Sequence, residues 1–331
     1  MRLPGSLLTL VLVGAAAVVP ATAAVPRPPD PAVAVVGRSD QPCGWRAAPP
    51  RTYDHVVWIV LENHSYGQLI GPAGSAADQQ APYLNSLARA CGLATRFRAV
   101  THPSLPNYLA MVSGRTGGVT TSCTPAQCPQ HRRTVFDQVR RSGRSWRVFA
   151  ESMPRACRRT DAEPYVVRHN PAPYFPDLRG CRTHDLPMGT TSGGRLVNML
   201  ADGRLPALTV VIPNQCHNTH DCDIPVGDAW LSELVPRILD GPDYGAGRTA
   251  VFVTYDEGAG GTAGQSCRRE YDESCHIVTV AVAPSVTPGT RSATRYDLYS
   301  LLRTTERLLG LGLLGHAADD RTASMRGTFH L

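Results

Sequence analysis

The feature that most restricts the fold is an alternation of short apolar runs, rich in β-branched residues, with longer stretches of helical periodicity. The apolar runs span residues 55–61, 146–150, 208–212, 249–254 and 277–282. The helical stretches span residues 82–90, 105–113, 135–142, 195–202, 230–239 and 298–309. Strands that are apolar throughout are typical of a parallel sheet covered by helices on both faces. The sequence therefore predicts an α/β fold with a mostly parallel central sheet, in one domain at residues 51–331.

The first 24 residues have the composition of an export signal. Arg2 supplies a basic start, residues 7–19 are apolar, and residues 21–24 form a small-residue cleavage site. The apolar run is shorter than the roughly 20 residues of a membrane span. We expect cleavage near Ala23 and Ala24 and a secreted, extracellular protein, with a retained N-terminal anchor as the alternative. Residues 25–50 are rich in proline and alanine and are predicted to form a separate N-terminal segment.

The cysteine content is also typical of an exported protein. The chain has ten cysteines, an even number, and no Cys-x-x-Cys pair, so disulfides are favoured over zinc ligation. Spacing alone does not fix their connectivity. Pairing of neighbours gives Cys123–Cys128, Cys216–Cys222 and Cys267–Cys275 as local bridges, and leaves Cys157–Cys181 and Cys43–Cys91.

Basic residues are numerous, and all of them are arginine. The 33 arginines give a formal net charge of +6, and the absence of lysine excludes Schiff-base chemistry and a P-loop lysine. Nine arginines lie at residues 132–159. They indicate either a cationic face for phosphorylated or membrane-surface substrates or an ordinary solvated surface. No nucleic-acid partner is expected. No obligate protein partner is indicated either.

Polar clusters follow several of the predicted elements. They lie at Glu62–Ser65, at Thr101–Asn107, at residues 213–221 and at Tyr255–Gly258. Ligands of open α/β sheets bind beyond the carboxyl ends of the strands, so these clusters are expected to converge. Together they contain carboxylates, histidines, amides and one serine. This combination predicts a divalent-cation site beside an activated hydroxyl.

Ser104 is the candidate nucleophile among these residues. It is predicted at a helix start, where backbone N–H groups favour a bound anion. Glu62, Asp256 and Glu257 are candidate ligands of a cation that would stabilise the serine alkoxide, and Asn107 is a candidate donor to a phosphoryl oxygen. The alternative is that Ser104 only caps the helix, which is the commoner role of such a serine.

Histidines supply the remaining candidates. His217, His220 and Asp221 lie in a short loop between Cys216 and Cys222. They are candidates for metal ligation or for protonation of a leaving oxygen, with a polar surface turn as the alternative. His102 and His276 are further candidates, although each is also compatible with an ordinary structural histidine.

Several of these clusters together resemble a known family. The resemblance rests on Glu62–Tyr66, Thr101–Tyr108, His220–Asp221, Gly227–Trp230 and Tyr255–Gly258, supported by Arg168–Pro171 and by Tyr299–Thr304 with Glu306. From about His55 to Leu311 the chain is similar to the secreted bacterial phosphoesterases that include acid phosphatases and phosphatidylcholine-type phospholipases C. Within that family it most resembles acid phosphatases that act on phosphatidylinositol 3-phosphate.

The resemblance implies an alkaline-phosphatase-like three-layer α/β/α sandwich and metal-assisted hydrolysis with Ser104 as the nucleophile. It adds Asn63 to Glu62, Asp256 and Glu257 as a metal-site residue. It matches His220 and Asp221 to the family's histidine–acid pair, and His169 lies in one of the matching stretches. Two departures concern the metal. Asp256–Glu257 stands where the wider superfamily usually has Asp-His, and Asp297–Leu298 stands where a histidine is expected.

Three functions are consistent with the sequence. The first is a secreted metal-dependent phosphomonoesterase that acts on a phosphorylated small molecule or lipid headgroup, with transient contact to a membrane surface. The second is a phospholipase C-type diesterase with the same reacting groups. The third, from another class, is an inactive secreted protein that binds anionic lipid through the arginines at residues 132–159.

Overall fold

The computed structural model describes residue 1, residues 37–267 and residues 272–331. The predicted signal peptide therefore lies outside the described residues, apart from Met1. Gly37–Leu331 forms one compact unit. Residues 37–50 belong to it, because Cys43 is buried and bonded to Cys91. A domain boundary at residue 51 stays a prediction.

The centre of the unit is one mixed sheet whose strand order is β4-β3-β5-β1-β6-β7-β2-β8, with β9 beside β2. The strands are β1 (His55–Leu61), β2 (Gly92–Arg98), β3 (Trp146–Ala150), β4 (Asp185–Pro187), β5 (Leu208–Ile212), β6 (Thr249–Tyr255), β7 (His276–Val282), β8 (Thr290–Ser292) and β9 (Tyr296–Asp297). Within the described sheet only β7 runs antiparallel to its neighbours. The carboxyl ends of β1, β2, β3, β5 and β6 therefore lie at one edge.

Helices cover the sheet in two groups. They are α1 (Tyr66–Leu69), α2 (Ala76–Gln80), α3 (Pro82–Ala90), α4 (Ser104–Ser113), α5 (Val135–Arg141), α6 (Cys181–His184), α7 (Arg195–Ala201), α8 (Ile224–Leu239), α9 (Pro242–Gly245) and α10 (Leu298–Leu308). Helices α4, α5 and α10 pack together, whereas α3, α7, α8 and α9 form a second group. The predicted α/β sandwich with a mostly parallel sheet is confirmed. No helix in the described residues is long and apolar enough to cross a bilayer.

The local sequence explains where several helices begin. Thr134 and Asp137 form a reciprocal capping box at the start of α5, and Asp297 with Ser300 does the same for α10. Pro82 occupies the first turn of α3, where its missing N–H has no cost. Each of these helices starts where the sequence analysis predicted, because the signals are local.

Several strands were not predicted from the sequence. The five long apolar runs are strands, but β2 contains Arg96 and Arg98 and has a register irregularity between Ala94 and Phe97. These features disrupt the apolar pattern by which β2 could be predicted as a strand. β4, β8 and β9 are two or three residues long and owe their existence to the strands beside them. Because β2 ends just before Thr101, the polar cluster at Thr101–Asn107 also follows a strand.

All ten cysteines are paired, and the predicted neighbour pairing is confirmed. The Cys216–Cys222 bridge closes the loop after β5, and Cys267–Cys275 closes the segment before β7. Both bridges restrict chain segments at the carboxyl edge of the sheet. The Cys216–Cys222 bridge reduces the conformational freedom of the loop that carries His217 and His220.

Candidate active site

Three carboxylates meet at the carboxyl edge of the two central strands. Glu62 follows β1, and Asp256 and Glu257 follow β6, the strand paired in register with β1. One ligand atom from each lies within 4.8 Å of the others. All three side chains are almost fully excluded from solvent, with relative exposures of 1%, 0% and 6%. The parallel pairing of β1 and β6 therefore brings together residues that are nearly two hundred positions apart.

The electrostatics of this cluster fit a cation. Burial, followed by the charges of Glu62 and Glu257, raises the pKa of Asp256 well above its ordinary value. Burial also raises the pKa of Glu257, against the opposing effect of His102. Asp256 Oδ2 is buried and accepts no hydrogen bond from any residue in the described ranges. Three carboxylates crowded together in a buried site offer the oxygen donors that suit a hard divalent cation.

Ser104 lies against this cluster. It is the first residue of α4, whose cap is Pro103 with no side-chain cap bond, so the alternative that Ser104 is the helix cap is wrong. Its Oγ instead donates to Glu62 Oε1 at 2.6 Å, and Glu257 Oε1 lies 3.3 Å away. The side chain is buried. A serine hydroxyl in contact with two carboxylates at a helix start is available for nucleophilic chemistry.

Asn107 holds the turn that precedes Ser104. Its Oδ1 accepts from the N–H groups of Val100 and Thr101 at 3.0 and 3.1 Å, and its Nδ2 donates to Thr101 O at 2.7 Å. The same Nδ2 lies 3.4 Å from Glu257 Oε2. These contacts fix the backbone that presents the serine. Donation from Asn107 to a phosphoryl oxygen stays a prediction.

Three histidines surround the carboxylates. His169 Nε2 forms an ion pair with Glu62 Oε2, and His102 Nδ1 lies 3.0 Å from Glu257 Oε2. His220 Nε2 lies 3.8 Å from Glu62 Oε1, while Asp221 contacts its Nδ1 at 2.5 Å. Burial alone would raise the pKa of Glu62, but the charge and hydrogen bond of His169 outweigh it and lower that pKa.

The loop after β5 carries His220 and is internally braced. Asn214 Oδ1 accepts from the N–H groups of Cys216 and His217, both at 3.0 Å. Asn218 Oδ1 accepts from His220 N–H at 2.8 Å, and Asn218 Nδ2 lies 3.3 Å from His169 Nδ1. Asn218 therefore links the two histidines that approach Glu62.

A buried carboxylate anchors the start of this loop. Glu151, directly after β3, accepts from Asn214 N–H at 3.1 Å and contacts His217 Nδ1 at 2.8 Å through Oε2. The indole of Trp230 donates to Glu151 Oε1 at 3.2 Å. The hydrogen bond to Glu151 raises the pKa of His217. Glu151 was not among the candidate site residues, although its place at a strand end was a usable signal.

Gly227 allows α8 to approach the same loop. A Cβ on this residue would lie 2.3 Å from Thr219 Cγ2 and 2.9 Å from His217 O, closer than real atoms approach. Since Thr219 Oγ1 also donates to the carbonyl of Glu62, a side chain at residue 227 would displace a segment bonded to the site.

Other predicted site residues lie at the periphery. His217 contacts Glu151 and stacks on Trp230 rather than reaching the cluster. His276 Nε2 lies 2.9 Å from Thr95 O, and its ring stacks on Tyr66. Asn63 lines a polar pocket of about 520 Å³ together with His220 and Asp221. This pocket adjoins the carboxylate cluster through His220.

Solved structures share this fold at low sequence identity. A Vibrio parahaemolyticus protein of the alkaline phosphatase superfamily aligns with TM-score 0.55 and 13% identity, over 80% of this chain and 68% of that one. The lipoteichoic acid synthase of Listeria monocytogenes aligns with TM-score 0.58 and 10% identity, over 86% and 80%. The fold is therefore that of the alkaline phosphatase superfamily.

Sequence comparison defines the family within this fold. The Phosphoesterase family model matches residues 73–312, and the chain belongs to this family. A phosphatidylinositol-3-phosphatase of Mycobacterium tuberculosis is 29% identical over 283 residues, covering 83% of each chain. An acid phosphatase of Aspergillus fumigatus is also 29% identical, over 78% of this chain but only 55% of its own length. This membership assigns the chain to the phosphoric ester hydrolases.

Proposed function

We propose that the protein is a secreted phosphomonoesterase in which Ser104 attacks phosphorus. The observation that carries the proposal is the Ser104 Oγ–Glu62 Oε1 hydrogen bond of 2.6 Å within a buried carboxylate cluster. Attack forms an Oγ–P bond and breaks the bond from phosphorus to the alcohol oxygen. Water then hydrolyses the phosphoserine and releases phosphate. Glu62 orients the hydroxyl and is a proton acceptor within reach.

Glu62, Asn63, Asp256 and Glu257 are the residues that would hold a divalent cation. When bound, the cation would supply positive charge that lowers the pKa of a coordinated hydroxyl and neutralises phosphoryl oxygens. Its identity is not specified by the oxygen donors alone. The orphaned Oδ2 of Asp256 supports this proposal from the chain's own geometry.

We assign His220 to proton transfer at the leaving oxygen. It is partly exposed and borders the polar pocket, whereas His169 and His102 are buried. The contact of Asp221 with Nδ1 orients the ring, so that Nε2 faces the reaction centre. A phosphorylated small molecule or lipid headgroup is the proposed substrate, in keeping with the names of the two relatives.

The proposed reaction is tested by comparing ester classes with one purified sample. p-Nitrophenyl phosphate, bis(p-nitrophenyl) phosphate and phosphatidylcholine are assayed after chelation and after return of Mg²⁺, Ca²⁺, Mn²⁺ or Zn²⁺ singly. We expect monoester turnover to be at least about tenfold faster than diester turnover. This ratio corresponds to a transition-state preference of about 1.4 kcal/mol. We also expect monoester hydrolysis to be lost on chelation and to recover when one or more of the four cations are returned.

Faster hydrolysis of the diester or of phosphatidylcholine would favour the phospholipase C-type alternative. Absence of any hydrolysis with all four cations would favour the inactive lipid-binding alternative. Full activity after exhaustive chelation would contradict the metal proposal and leave the serine chemistry to be judged separately.

The Glu151 anchor yields a second prediction. Replacing Glu151 with Gln keeps the side chain's shape but removes the charge that holds His217. We expect kcat to fall about tenfold with KM changed less than about twofold, because a misplaced proton donor affects the transition state more than binding. Steady-state kinetics on p-nitrophenyl phosphate measure both constants.

The matched control is Glu163→Gln, which removes the charge of an exposed carboxylate that lies outside the loop after β5. It is expected to leave both constants unchanged. A Glu151→Gln variant with wild-type kcat would show that the loop keeps its geometry without this anchor.

A further inference from the structure

A second cluster of charged groups lies outside the candidate active site. A surface pocket of about 540 Å³ is bordered by α5, by the segment before it and by residues 177–179. We call it the arginine pocket, because five arginines line it. They are Arg132, Arg133, Arg140, Arg141 and Arg179. Four of them belong to the arginine-rich stretch at residues 132–159 that the sequence analysis singled out. None of the candidate active-site residues lines this pocket.

The arginines of this pocket lack partners among the residues that the structure describes. Across residues 37–267 and 272–331, none of their side chains forms a hydrogen bond or ion pair with another residue. The Nε atoms of Arg132 and Arg140 are buried yet bond to nothing described. Elsewhere in the chain, exposed arginines such as Arg89, Arg204 and Arg248 do pair with aspartates. Unpaired arginines also occur singly elsewhere, as at Arg195 and Arg237, but here five of them share one concavity.

The two acidic residues of the pocket are already engaged. Asp137 Oδ2 accepts from the backbone N–H and the Oγ of Thr134 at 3.1 and 3.0 Å, as part of the α5 capping box. Asp177 Oδ2 lies 2.8 Å from His131 Nδ1. Neither carboxylate forms an ion pair with the arginines, so the pocket keeps a positive excess.

Two chain segments are tied together to form the pocket. Gln130 N–H donates to Tyr174 O at 2.7 Å, and Tyr174 Oη donates to Cys123 O at 2.6 Å. These bonds fix residues 131–133 beside the segment that leads to Arg179. The guanidinium groups are therefore presented by fixed backbone around one concavity. Like charges held together in this way repel one another, and a multivalent anion would relieve that repulsion.

We propose that the arginine pocket binds a ligand with two or more phosphate groups, at a site separate from hydrolysis. Planar guanidinium groups donate paired hydrogen bonds that match phosphate oxygens. The ligand is either a multiply phosphorylated lipid headgroup in a bilayer or a soluble polyphosphorylated polyol. Both present the same chemistry to the pocket. This site would hold the enzyme to a phosphate-bearing partner while the active site acts.

The test compares two double variants in the full chain. Arg133→Gln/Arg141→Gln removes two exposed arginines of the pocket, and Arg195→Gln/Arg237→Gln removes two exposed, unpaired arginines elsewhere. Both pairs are placed in a Ser104→Ala background, so that probes are not turned over. Binding is measured by titration with inositol hexakisphosphate. It is also measured by co-sedimentation with phosphatidylcholine vesicles that contain phosphatidylinositol bisphosphate as the minor lipid.

We expect the pocket variant to lose at least about tenfold in affinity for one or both probes, and the control variant less than about twofold. Loss on vesicles alone identifies the bilayer headgroup as the ligand, and loss on the soluble probe alone identifies a free polyphosphate. With Ser104 present, the pocket variant is expected to hydrolyse p-nitrophenyl phosphate at the wild-type rate, which shows that it is folded.

Two results would overturn the proposal. One is equal loss of binding in the pocket and control variants, which would mean that only the overall positive charge matters. The other is retention of wild-type affinity for both probes in the pocket variant. Because binding is measured without turnover, either result is independent of whether the proposed serine chemistry is correct.

Discussion

Replacing Ser104 with Ala is expected to lower phosphomonoester hydrolysis by about a thousandfold or more, since loss of a nucleophile removes the covalent route. The Ser104 hydroxyl donates to Glu62 and lies near Glu257. Among the residues that the structure describes, no other serine hydroxyl is bonded to Glu62. The measurement is kcat on p-nitrophenyl phosphate under the best metal condition. Acid quenching with a radiolabelled substrate should trap label on the wild-type peptide that contains residue 104, and none on the variant.

Ser113→Ala is the matched control, because Ser113 is buried in the same helix and its Oγ donates to Leu109 O at 2.8 Å. This variant loses a hydrogen bond worth about 1 kcal/mol of stability but no reacting group. It should keep kcat near the wild-type value. If Ser104→Ala retained more than about a tenth of wild-type kcat, another group would have to be the nucleophile.

Asp256→Asn is expected to change activity and stability in opposite directions. Hydrolysis should fall by about a hundredfold or more, because a charged oxygen donor of the proposed cation is lost. The chelated protein should become more stable at neutral pH by about 1–3 kcal/mol, because the buried wild-type carboxyl must either keep a proton or carry a charge among other carboxylates. Urea unfolding of chelated samples at several pH values measures the second effect.

The pH dependence follows from the raised pKa of Asp256. In the chelated protein the folded state retains a proton that the unfolded chain has released, so stability falls as pH rises above the ordinary carboxyl range. The stabilising effect of Asp256→Asn should thus be small near pH 4 and grow toward neutral pH. With saturating cation, Asp256→Asn should instead destabilise the protein, because cation binding then stabilises the folded wild-type protein.

Asp202→Asn serves as the control, since Asp202 is an exposed carboxylate that pairs with Arg204. It should alter neither hydrolysis nor the pH dependence of unfolding. If Asp256→Asn destabilised the chelated protein at neutral pH, the carboxylate cluster would not be the site of electrostatic strain that its geometry indicates.

Part of the candidate site could be predicted from local sequence. Glu62 and Asp256 each follow a long apolar run directly, and a carboxylate at that position of a parallel strand faces the ligand edge. Ser104 opens a helix next to Pro106, which is again a local signal. These residues were predictable because the strand period and helix start rules depend on neighbours in the chain. The neighbour pairing of the cysteines was predicted for the same reason.

The roles of the other site residues depended on contacts between segments that are distant in the sequence. Glu151 lies at a strand end like Glu62, yet it points to His217 and Trp230 and anchors a loop. Asn107 has the amide expected of a donor to substrate, but its hydrogen bonds are used in the turn before Ser104. Which partner a polar side chain meets is set by strand order and register, and these are properties of the sheet as a whole.

The sequence by itself determined the α/β class, the five long strands and the types of residue available for chemistry. Only the tertiary structure decided which of those residues share one cluster. β1 lies between β5 and β6, so Glu62 meets Asp256 and Glu257. The physical reason is that apolar periodicity and capping act over a few residues, whereas strand order is decided by the packing of the complete core.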